Sequence, residues 1–234
     1  MSAAVAKIKI MLGRLSSTGF FRIFGASTVN KVLAALLSIV LVRIMTKHDF
    51  GAWSYAYNIA SFFIIFNGFG AASALLQLGS ELVGAGCSAA RLVTYSTRCG
   101  IVCDVVIAAL IATCSLAVPL AVEGSNQLLL LYCLFPLFSL LYEMRLTCLR
   151  VQLRNKAYAL LTNIQTLFNF VFSIVGAMLF GSVGLIVGQQ LALIVAWVWG
   201  VMGKGQPSFA GPDCETSLEC GRGELGAPGL DVSR

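Results

Sequence analysis

Long apolar runs alternate with short polar connections through most of this chain. Six runs are long enough to cross a hydrocarbon core of about 30 Å, which takes about 20 mostly apolar residues per helix. They occupy residues 23–45, 52–76, 99–120, 127–149, 157–180 and 182–202. Transmembrane strands would be shorter and would alternate, whereas the segment Leu128–Leu134 is continuously apolar, which favours helices. We therefore predict an all-α polytopic membrane protein with six transmembrane helices.

The apolar runs divide the chain into three parts. Residues 1–22 are basic, and we expect an amphipathic helix on the cytoplasmic membrane surface there, since the next run is too long for a cleaved signal. Residues 23–202 contain the six predicted helices. Residues 203–234 are rich in Gly, Pro and acidic side chains, so we expect a disordered tail. Its abrupt start favours an out-of-frame or truncated ending over a native disordered tail.

The composition agrees with a membrane protein and excludes several chemistries. Hydrophobic residues make up 58% of the chain and charged residues 11%, against about 25% charged in a typical soluble domain. The eight cysteines include no C-x-x-C pair, and His48 is the single histidine, so no zinc or redox site is indicated. Phosphate-binding loops and hydrolase motifs are absent from the sequence. We predict no catalytic residue, no metal and no cofactor, and hence no enzyme.

Basic residues are distributed unevenly between the two sides of the predicted bundle. Eleven lie on the side of the N-terminus, whereas Arg43 and Lys47 lie on the other. The eleven are Lys7, Lys9, Arg14, Arg22, Arg91, Arg98, Arg145, Arg150, Arg154, Lys156 and Lys204. Because cytoplasmic loops carry an excess of Lys and Arg, we predict that both termini are cytoplasmic. The net charge of +6 then reflects topology, and no nucleic-acid partner is needed.

Polar residues inside the predicted helices favour a hydrated cavity. A charge at the centre of a lipid-embedded helix costs about 2.5–3.5 kcal/mol, so such a residue is a functional candidate. Lys31 lies about 12 Å past Ile23 along the helix axis. Interhelical hydrogen bonds of about 0.6 kcal/mol each are the alternative explanation for polar stripes. The predicted cavity residues are Lys31, Ser27, Asn30, Ser38, Asn58, Thr166 and Asn169.

Asp104 is the one acid well inside a predicted helix, and two interpretations of it stay open. An ion pair with Lys31 is the first, since both residues lie in the cytoplasmic half of their helices. A proton or cation site in a transporter is the second. Intramembrane charges usually pair with one another or mark ion pathways, so the residue type favours neither.

Two further patterns concern helix packing. Small residues repeat every four positions in the sixth run and predict close approach of another helix. They are Gly184, Gly188, Ala192, Ala196 and Gly200. Gln189 and Gln190, beside this stripe, are weak candidates for solute contact. Pro136 lacks an N–H group and predicts a kink in the fourth helix.

Two segments around the first helical hairpin resemble a known family. The first is Leu41–Ser54, with the pattern R-x-x-x-x-x-x-F-G, and the second is Asn67–Leu75, with the pattern G-x-G-x-x-x-A. Both resemble the start of bacterial polysaccharide flippases, the O-antigen or Wzx-type translocases of the multidrug/oligosaccharidyl-lipid/polysaccharide exporter superfamily. The resemblance covers roughly residues 20–200, and the later helices agree in hydropathy and loop length more than in motif.

The resemblance implies a fold of two six-helix lobes, of which this chain would be the N-terminal one. Such proteins move an undecaprenyl-diphosphate-linked oligosaccharide across the inner membrane by alternating access. Lys31 would compensate the diphosphate in a cationic cavity, and Arg43 would contact the head group at the outer end. The implied partners are the lipid-linked oligosaccharide, membrane lipid, and a second lobe or a second copy of the chain, because alternating access needs two lobes.

Other functions stay open beside the flippase. A cation-coupled multidrug exporter of the same superfamily would use Asp104 as its coupling acid, although a central lysine disfavours cationic drugs. A non-transporting product, either an assembly partner or an inactive remnant, would follow from the truncated ending. A polysaccharide polymerase or acyltransferase is disfavoured, because the predicted outer connections are short.

Overall fold

The computed structural model describes residues 20–202, with side chains from residue 28 onward. Every regular element in this part is helical, as predicted. In chain order the helices are α1 (Phe20–Ile44), α2 (Lys47–Ile64), α3 (Ala71–Gly84), α4 (Ala90–Ala117), α5 (Ser125–Leu131), α6 (Phe135–Val151) and α7 (Asn155–Met202). Short 3-10 turns at Asn67–Gly70 and Tyr132–Leu134 join α2 to α3 and α5 to α6. The predictions for residues 1–19, for the tail and for the Ser27 side chain lie outside the described residues.

Four helical stretches of the described chain are long and apolar enough to cross a membrane. They are Lys47–Gly84, Ala90–Ala117, Ser125–Val151 and Asn155–Met202. The first and third stretches contain the two 3-10 turns, and the last bends sharply within α7. The helices extend beyond the apolar runs, so Arg91 and Arg98 lie on α4 rather than on a connection. Hydropathy indicates which part of a helix can contact lipid. The backbone hydrogen bonds of the helix continue beyond that part into the polar region, so the helix is longer than the apolar run.

The bend divides α7 into two arms that fold back on each other. The backbone leaves the helical region at Gly181, whose φ is +59°. A Cβ added to Gly176 would overlap the carbonyl oxygen of Gly184, and one added to Gly188 would overlap that of Phe172. Residues equally far from the bend therefore face one another, so the arms are antiparallel and in backbone contact. This confirms the close packing that the small-residue stripe predicted at its first two glycines.

Thr46 begins α2 within the first of the two family-like segments. The Asp49 N–H donates to Thr46 Oγ1 at 3.1 Å, and Thr46 Oγ1 donates to Asp49 Oδ2 at 2.8 Å. The contact satisfies an N–H group that has no partner inside the helix. Asp49 also lies beside the α7 bend, because a Cβ added to Gly181 would be 3.9 Å from Asp49 Oδ2. This part of the motif therefore starts a helix and meets the hairpin.

Apolar clusters hold the helices together. One face of α1, formed by Leu37, Leu41 and Met45, packs against α7 near the bend, at Ala177 and Leu185. A second cluster joins α2, α4, α5 and α7 through Ala52, Ala56, Ala60, Ile107, Ile111, Leu128, Leu129, Tyr132 and Ile186. The alanines recur every fourth residue of α2 and let the neighbouring helices approach closely. A third cluster joins α3 to α6 through Ala71, Leu75, Leu140, Met144 and Cys148.

Candidate functional site

The second predicted helix, 52–76, is interrupted in its middle, so the prediction of a continuous helix is wrong there. Three residues between α2 and α3 have positive φ: Gly68 at +60°, Phe69 at +45° and Gly70 at +79°. Left-handed conformations carry no steric cost for glycine but do for phenylalanine. The two glycines of the G-x-G pattern thus form a turn inside an apolar segment, and hydropathy alone does not register such a turn.

Asp104 of α4 holds this turn from the neighbouring helix. Its side chain is fully buried, and its Oδ1 accepts a hydrogen bond of 2.7 Å from the Gly68 N–H. A broken helix exposes backbone N–H groups that need acceptors, and the positive end of a helix dipole lies at the start of α3. The carboxyl group therefore meets backbone donors at the break.

The ion pair between Lys31 and Asp104, one of the two interpretations left open by the sequence, is not formed in the described part of the chain. Lys31 is exposed on α1. α1 packs mainly against α7, whereas Asp104 faces the turn after α2. The sequence predicts that both residues lie in the cytoplasmic half of their helices, but in the structure they lie at different interfaces.

The Asn67 amide lies between two groups of oxygen atoms. Its Nδ2 donates to Asp104 Oδ2 at 3.0 Å and to the Pro136 carbonyl oxygen at 3.1 Å. The amide donors are thus directed at acceptor oxygens of two neighbouring elements.

The Asp104 carboxyl group and the Asn67 amide together connect three elements: α4, the turn after α2, and the start of α6. Discontinuous helices form ion sites in several transporter folds. Within residues 28–202 no group of three or more His, Cys, Asp and Glu side chains is arranged for a metal ion. The arrangement is suited to hold one negative charge, one proton or one monovalent cation beside the break.

The fourth predicted helix is not α-helical throughout, and Pro136, at which a kink was predicted, stands in the first turn of α6. A 3-10 turn at Tyr132–Leu134 separates α5 from α6. Such turns have poorer hydrogen-bond geometry than an α-helix. Gln190 Nε2 from α7 supplies an additional donor, 2.6 Å from the Leu131 carbonyl oxygen.

A chain of side-chain hydrogen bonds crosses the bundle beside this second break. Trp53 Nε1 donates to Tyr132 Oη at 2.9 Å, and Tyr132 Oη donates to Gln189 Oε1 at 3.3 Å. Gln189 and Gln190, weak candidates for solute contact from the sequence, are thus both bonded within the fold. Both amides therefore have hydrogen-bond partners on neighbouring elements, which is a structural role.

The predicted cavity residues of α1 have different environments. Lys31, Ser38 and Arg43 are exposed, whereas Asn30 is partly buried. Ser38 Oγ donates to the Ala34 carbonyl oxygen at 3.2 Å, so its hydroxyl group is bonded within the helix. Lys31 and Ser38 therefore form an exposed strip with one positive charge beside the face that packs on α7, whereas Arg43 lies about 120° around the helix.

The predicted cavity residues of α2 and α7 form no hydrogen bond with the α1 strip in the part of the chain that the structure describes. Asn58 is exposed on α2. Thr166 Oγ1 donates to the Thr162 carbonyl oxygen at 3.0 Å, and Asn169 Oδ1 accepts from Ser173 Oγ at 3.5 Å. The α7 stripe is thus bonded along its own helix, and its role in a cavity stays a prediction.

Sequence reasoning missed Asn163, which lies off the polar stripe of α7. Asn30 Oδ1 and Asn163 Oδ1 are buried without a hydrogen-bond partner in the described part of the chain. Leu37 of α1 and Phe170 of α7 belong to the apolar cluster between these helices. Asn30 precedes Leu37 by two helical turns, and Asn163 precedes Phe170 by the same distance, so each lies on the same side of its helix as the apolar residue. We infer that both asparagines face the same seam. An amide on an otherwise apolar face was the available signal.

Comparison with known proteins identifies the family. The family described as polysaccharide biosynthesis protein matches residues 40–205, more than half of the chain. The matched region contains both breaks, Asp104 and both arms of α7. No curated protein and no solved structure matches the chain significantly. The family match, together with the long apolar helices, confirms the resemblance to polysaccharide-handling membrane proteins. The chain therefore belongs to the polysaccharide biosynthesis protein family and is a multi-pass helical membrane protein.

Proposed function

We propose that this chain is one lobe of a flippase that moves a lipid-linked oligosaccharide across the bacterial inner membrane. The cargo is an O-antigen or polysaccharide repeat unit. Six segments cross the membrane, namely α1, the pair α2–α3, α4, the pair α5–α6 and the two arms of α7, with both termini cytoplasmic. Family membership supports a polysaccharide precursor as cargo. The observation that supports a role in transport is the exposed position of Lys31.

Lys31 is exposed near the middle of α1. Facing lipid there, its charge would cost about 2.5–3.5 kcal/mol. Ser38 is exposed two helical turns away on the same flank. A helix flank with this composition is stable against water or another protein surface rather than against hydrocarbon. An aqueous cavity between two lobes supplies that environment.

A cationic strip in such a cavity has a chemical use. A phosphate-linked lipid must lose much of its hydration inside the membrane, and a lysine compensates its charge at low dielectric. Arg43 is exposed at the outer end of α1, about 120° around the helix from Lys31. It would contact the head group at the membrane surface rather than inside the cavity. The second lobe comes from another copy of this chain or from a separate polypeptide, because alternating access needs two bodies.

Cysteine accessibility tests the cavity. In a cysteine-free background, Lys31→Cys and Ser38→Cys should react with a membrane-impermeant maleimide. Val32→Cys and Ile39→Cys are the matched controls, since these side chains are 53% and 60% exposed on the apolar flank. Controls that stay unreactive while the first two react support the cavity. Equal protection of all four positions would place the strip in lipid and contradict it.

Surface polysaccharide in a flippase-deficient strain tests transport. We expect the chain to restore it, Lys31→Ala to abolish most of the restoration, and Lys31→Arg to retain it. Lys47→Ala, a lysine outside the strip, serves as the control. Full activity of Lys31→Ala would remove Lys31 from the mechanism.

Asp104 supports a second candidate, a cation-coupled multidrug exporter of the same superfamily. A buried carboxyl group at a helix break is suited to bind the coupling proton or cation. Drug efflux that is lost in Asp104→Asn, with surface polysaccharide unchanged, would favour this candidate over the flippase.

A further inference from the structure

A cavity of about 750 Å³ opens at the end of α7 away from its bend. Its lining comes from both arms of α7 and from the end of α6 and is apolar. It includes Leu149, Leu160, Leu161, Ile194, Val198 and Trp199. The volume lies in the range of about 300–1,000 Å³ that is typical of ligand sites. A ligand for this cavity must therefore present hydrocarbon to it.

The cavity follows from the packing of the α7 hairpin. Near the bend, glycines bring the two arms into backbone contact. At the other end, a Cβ added to Gly200 would meet the tip of the Leu161 side chain at 3.2 Å instead of backbone. The arms are thus separated by a whole side chain there. Hydrophobic residues line the resulting wedge without filling it.

Arg145 of α6 fixes one wall of the wedge. Its Nε donates to the Gly200 carbonyl oxygen at 2.9 Å, in the last turn of α7. Carbonyl groups in a last turn lack helical partners, so the cation stabilises the end of the helix. Because the Arg145 side chain is bonded to the Gly200 carbonyl group, an anionic ligand in the cavity would have to be bound by other cations.

The connection beside the cavity carries positive charge. Arg150 directly follows the lining residue Leu149, and Lys156 directly precedes the lining residue Ala157. The Arg150 guanidinium lies 4.7 Å from the centre of the Tyr158 ring, one turn into α7. No Asp or Glu occurs anywhere in the sequence from residue 144 to residue 202. An anionic group at this mouth therefore meets no acidic residue from α7 or from the last two turns of α6, and Glu143 of α6 lies six residues before the lining residue Leu149.

We propose that this cavity binds an acyl chain of an anionic phospholipid, with the phosphate at Arg150 and Lys156. Basic pockets between membrane helices recognise anionic head groups, and an apolar wedge behind them accepts the chain. A zwitterionic lipid matches the wedge but has no net charge for the two cations. A soluble phosphate matches the cations but leaves the wedge empty.

The lipid in this site is a resident and not the transported cargo. At 100° per residue, Ala157 and Leu160 lie on the side of the first α7 arm roughly opposite to Thr162 and Thr166. The cavity is therefore separate from the polar stripe of α7. Loss of lipid binding and loss of transport are accordingly distinguishable results.

Quenching of Trp199 fluorescence by brominated acyl chains tests the site in the full chain. Trp53→Phe and Trp197→Phe leave Trp199 as the sole tryptophan. We expect brominated phosphatidylglycerol to quench at a markedly lower fraction of total lipid than brominated phosphatidylcholine. Arg150→Gln and Lys156→Gln should each reduce this preference about five-fold. Ala157→Phe, which fills the wedge, should reduce quenching by both lipids.

Lys47→Gln is the control, since it removes a cation at the start of α2, outside both the cavity and the Lys31 strip, and should leave the preference unchanged. Equal quenching by the two phospholipids, or a preference that survives loss of Arg150 and Lys156, would overturn the proposal in favour of ordinary boundary lipid. Stronger quenching by a brominated polyprenyl phosphate would also overturn it. If the tryptophan variants unfold, native mass spectrometry of wild-type and Arg150→Gln/Lys156→Gln protein should show phosphatidylglycerol retained by the wild type alone.

Discussion

Two apolar segments of this protein are broken near their middle, and different chemistry supports each break. At Asn67–Gly70 the buried Asp104 carboxyl group accepts from the Gly68 N–H. At Tyr132–Leu134 the neutral Gln190 amide donates to the Leu131 carbonyl oxygen. Burying an amide costs much less than burying a charge in a membrane-spanning bundle. A neutral group is enough to support a break, so the carboxyl group at the first one points to function.

The breaks also differ in what enforces them. Pro136 has no N–H group, so an α-helix cannot run through it without losing a hydrogen bond, and it stands in the first turn of α6, where that donor is not needed. Gly68 and Gly70 only permit the left-handed turn, which has to be selected by contacts from outside the segment. The second break is therefore permanent. The first depends on contacts from outside the segment, such as the hydrogen bond from the Gly68 N–H to Asp104.

Replacing Asp104 should have the largest effect. Asp104→Ala leaves the Gly68 N–H buried without an acceptor and removes buried atoms, so we expect it to lower the free energy of unfolding by about 3 kcal/mol. Asp104→Asn keeps an acceptor oxygen and should cost about 1 kcal/mol. Unfolding by SDS titration measures both. A cost for Asp104→Ala no larger than that of Gln190→Leu would remove the distinction between the breaks.

Gly68→Ala should come next. The left-handed backbone costs an L-residue roughly 1–2 kcal/mol, and the new Cβ would lie 2.6 Å from Leu140 Cδ1. Gly51→Ala is the matched control, since its Cβ meets no atom within 4 Å and alanine favours a helix. We expect opposite signs for the two changes in the same unfolding assay. A stabilising Gly68→Ala would show that the turn is not needed.

Gln190→Leu should have a smaller effect of about 1 kcal/mol, because one donor to the Leu131 carbonyl group is lost while the 3-10 turn remains. The cost should shrink in a Pro136→Ala background, in which the helix can continue through the turn. A double-mutant cycle of unfolding free energies measures this coupling. Additive effects would show that Gln190 does not act on the proline break.

The α1–α7 seam extends the comparison to two buried amide oxygens that have no hydrogen-bond partner among the described residues. Asn163→Leu removes a buried oxygen without a partner in the described chain, so we expect a gain of about 0.5–1 kcal/mol in unfolding free energy. Thr166→Val is the control. The Thr166 hydroxyl group is bonded to the Thr162 carbonyl oxygen of its own helix, so its removal should not raise the free energy of unfolding. If Asn163→Leu destabilises the protein, its amide has a partner that α1 and α7 do not supply.

Several elements could be predicted because their causes are local. The end of the run at residue 180 and the restart at residue 182 coincide with the bend at Gly181, where glycine permits a positive φ. Gly184 and Gly188 predicted the close packing of the α7 arms, and Pro136 marked the first turn of α6, because each acts through its own backbone. The break after α2 was missed, since Gly68 and Gly70 within an apolar run are equally compatible with a helix.

The candidate site could be predicted only in part. Asp104 was identified from its charge in an apolar run, and Lys31 from the same argument. Their partners were not: Asp104 meets Gly68 and Asn67, whereas Lys31 lies exposed on another helix. Asn163 escaped notice because a single amide on an apolar face forms no pattern.

The sequence by itself determined that this protein is helical and embedded in a membrane. Lipid leaves a backbone no partner except its own helix, and the length of an apolar run decides whether that helix can cross. Only the tertiary structure decided which polar groups meet, including the contact of Asp104 with the turn at Gly68. Such contacts depend on the rotation and register of whole helices against one another, and no local pattern of residues encodes either.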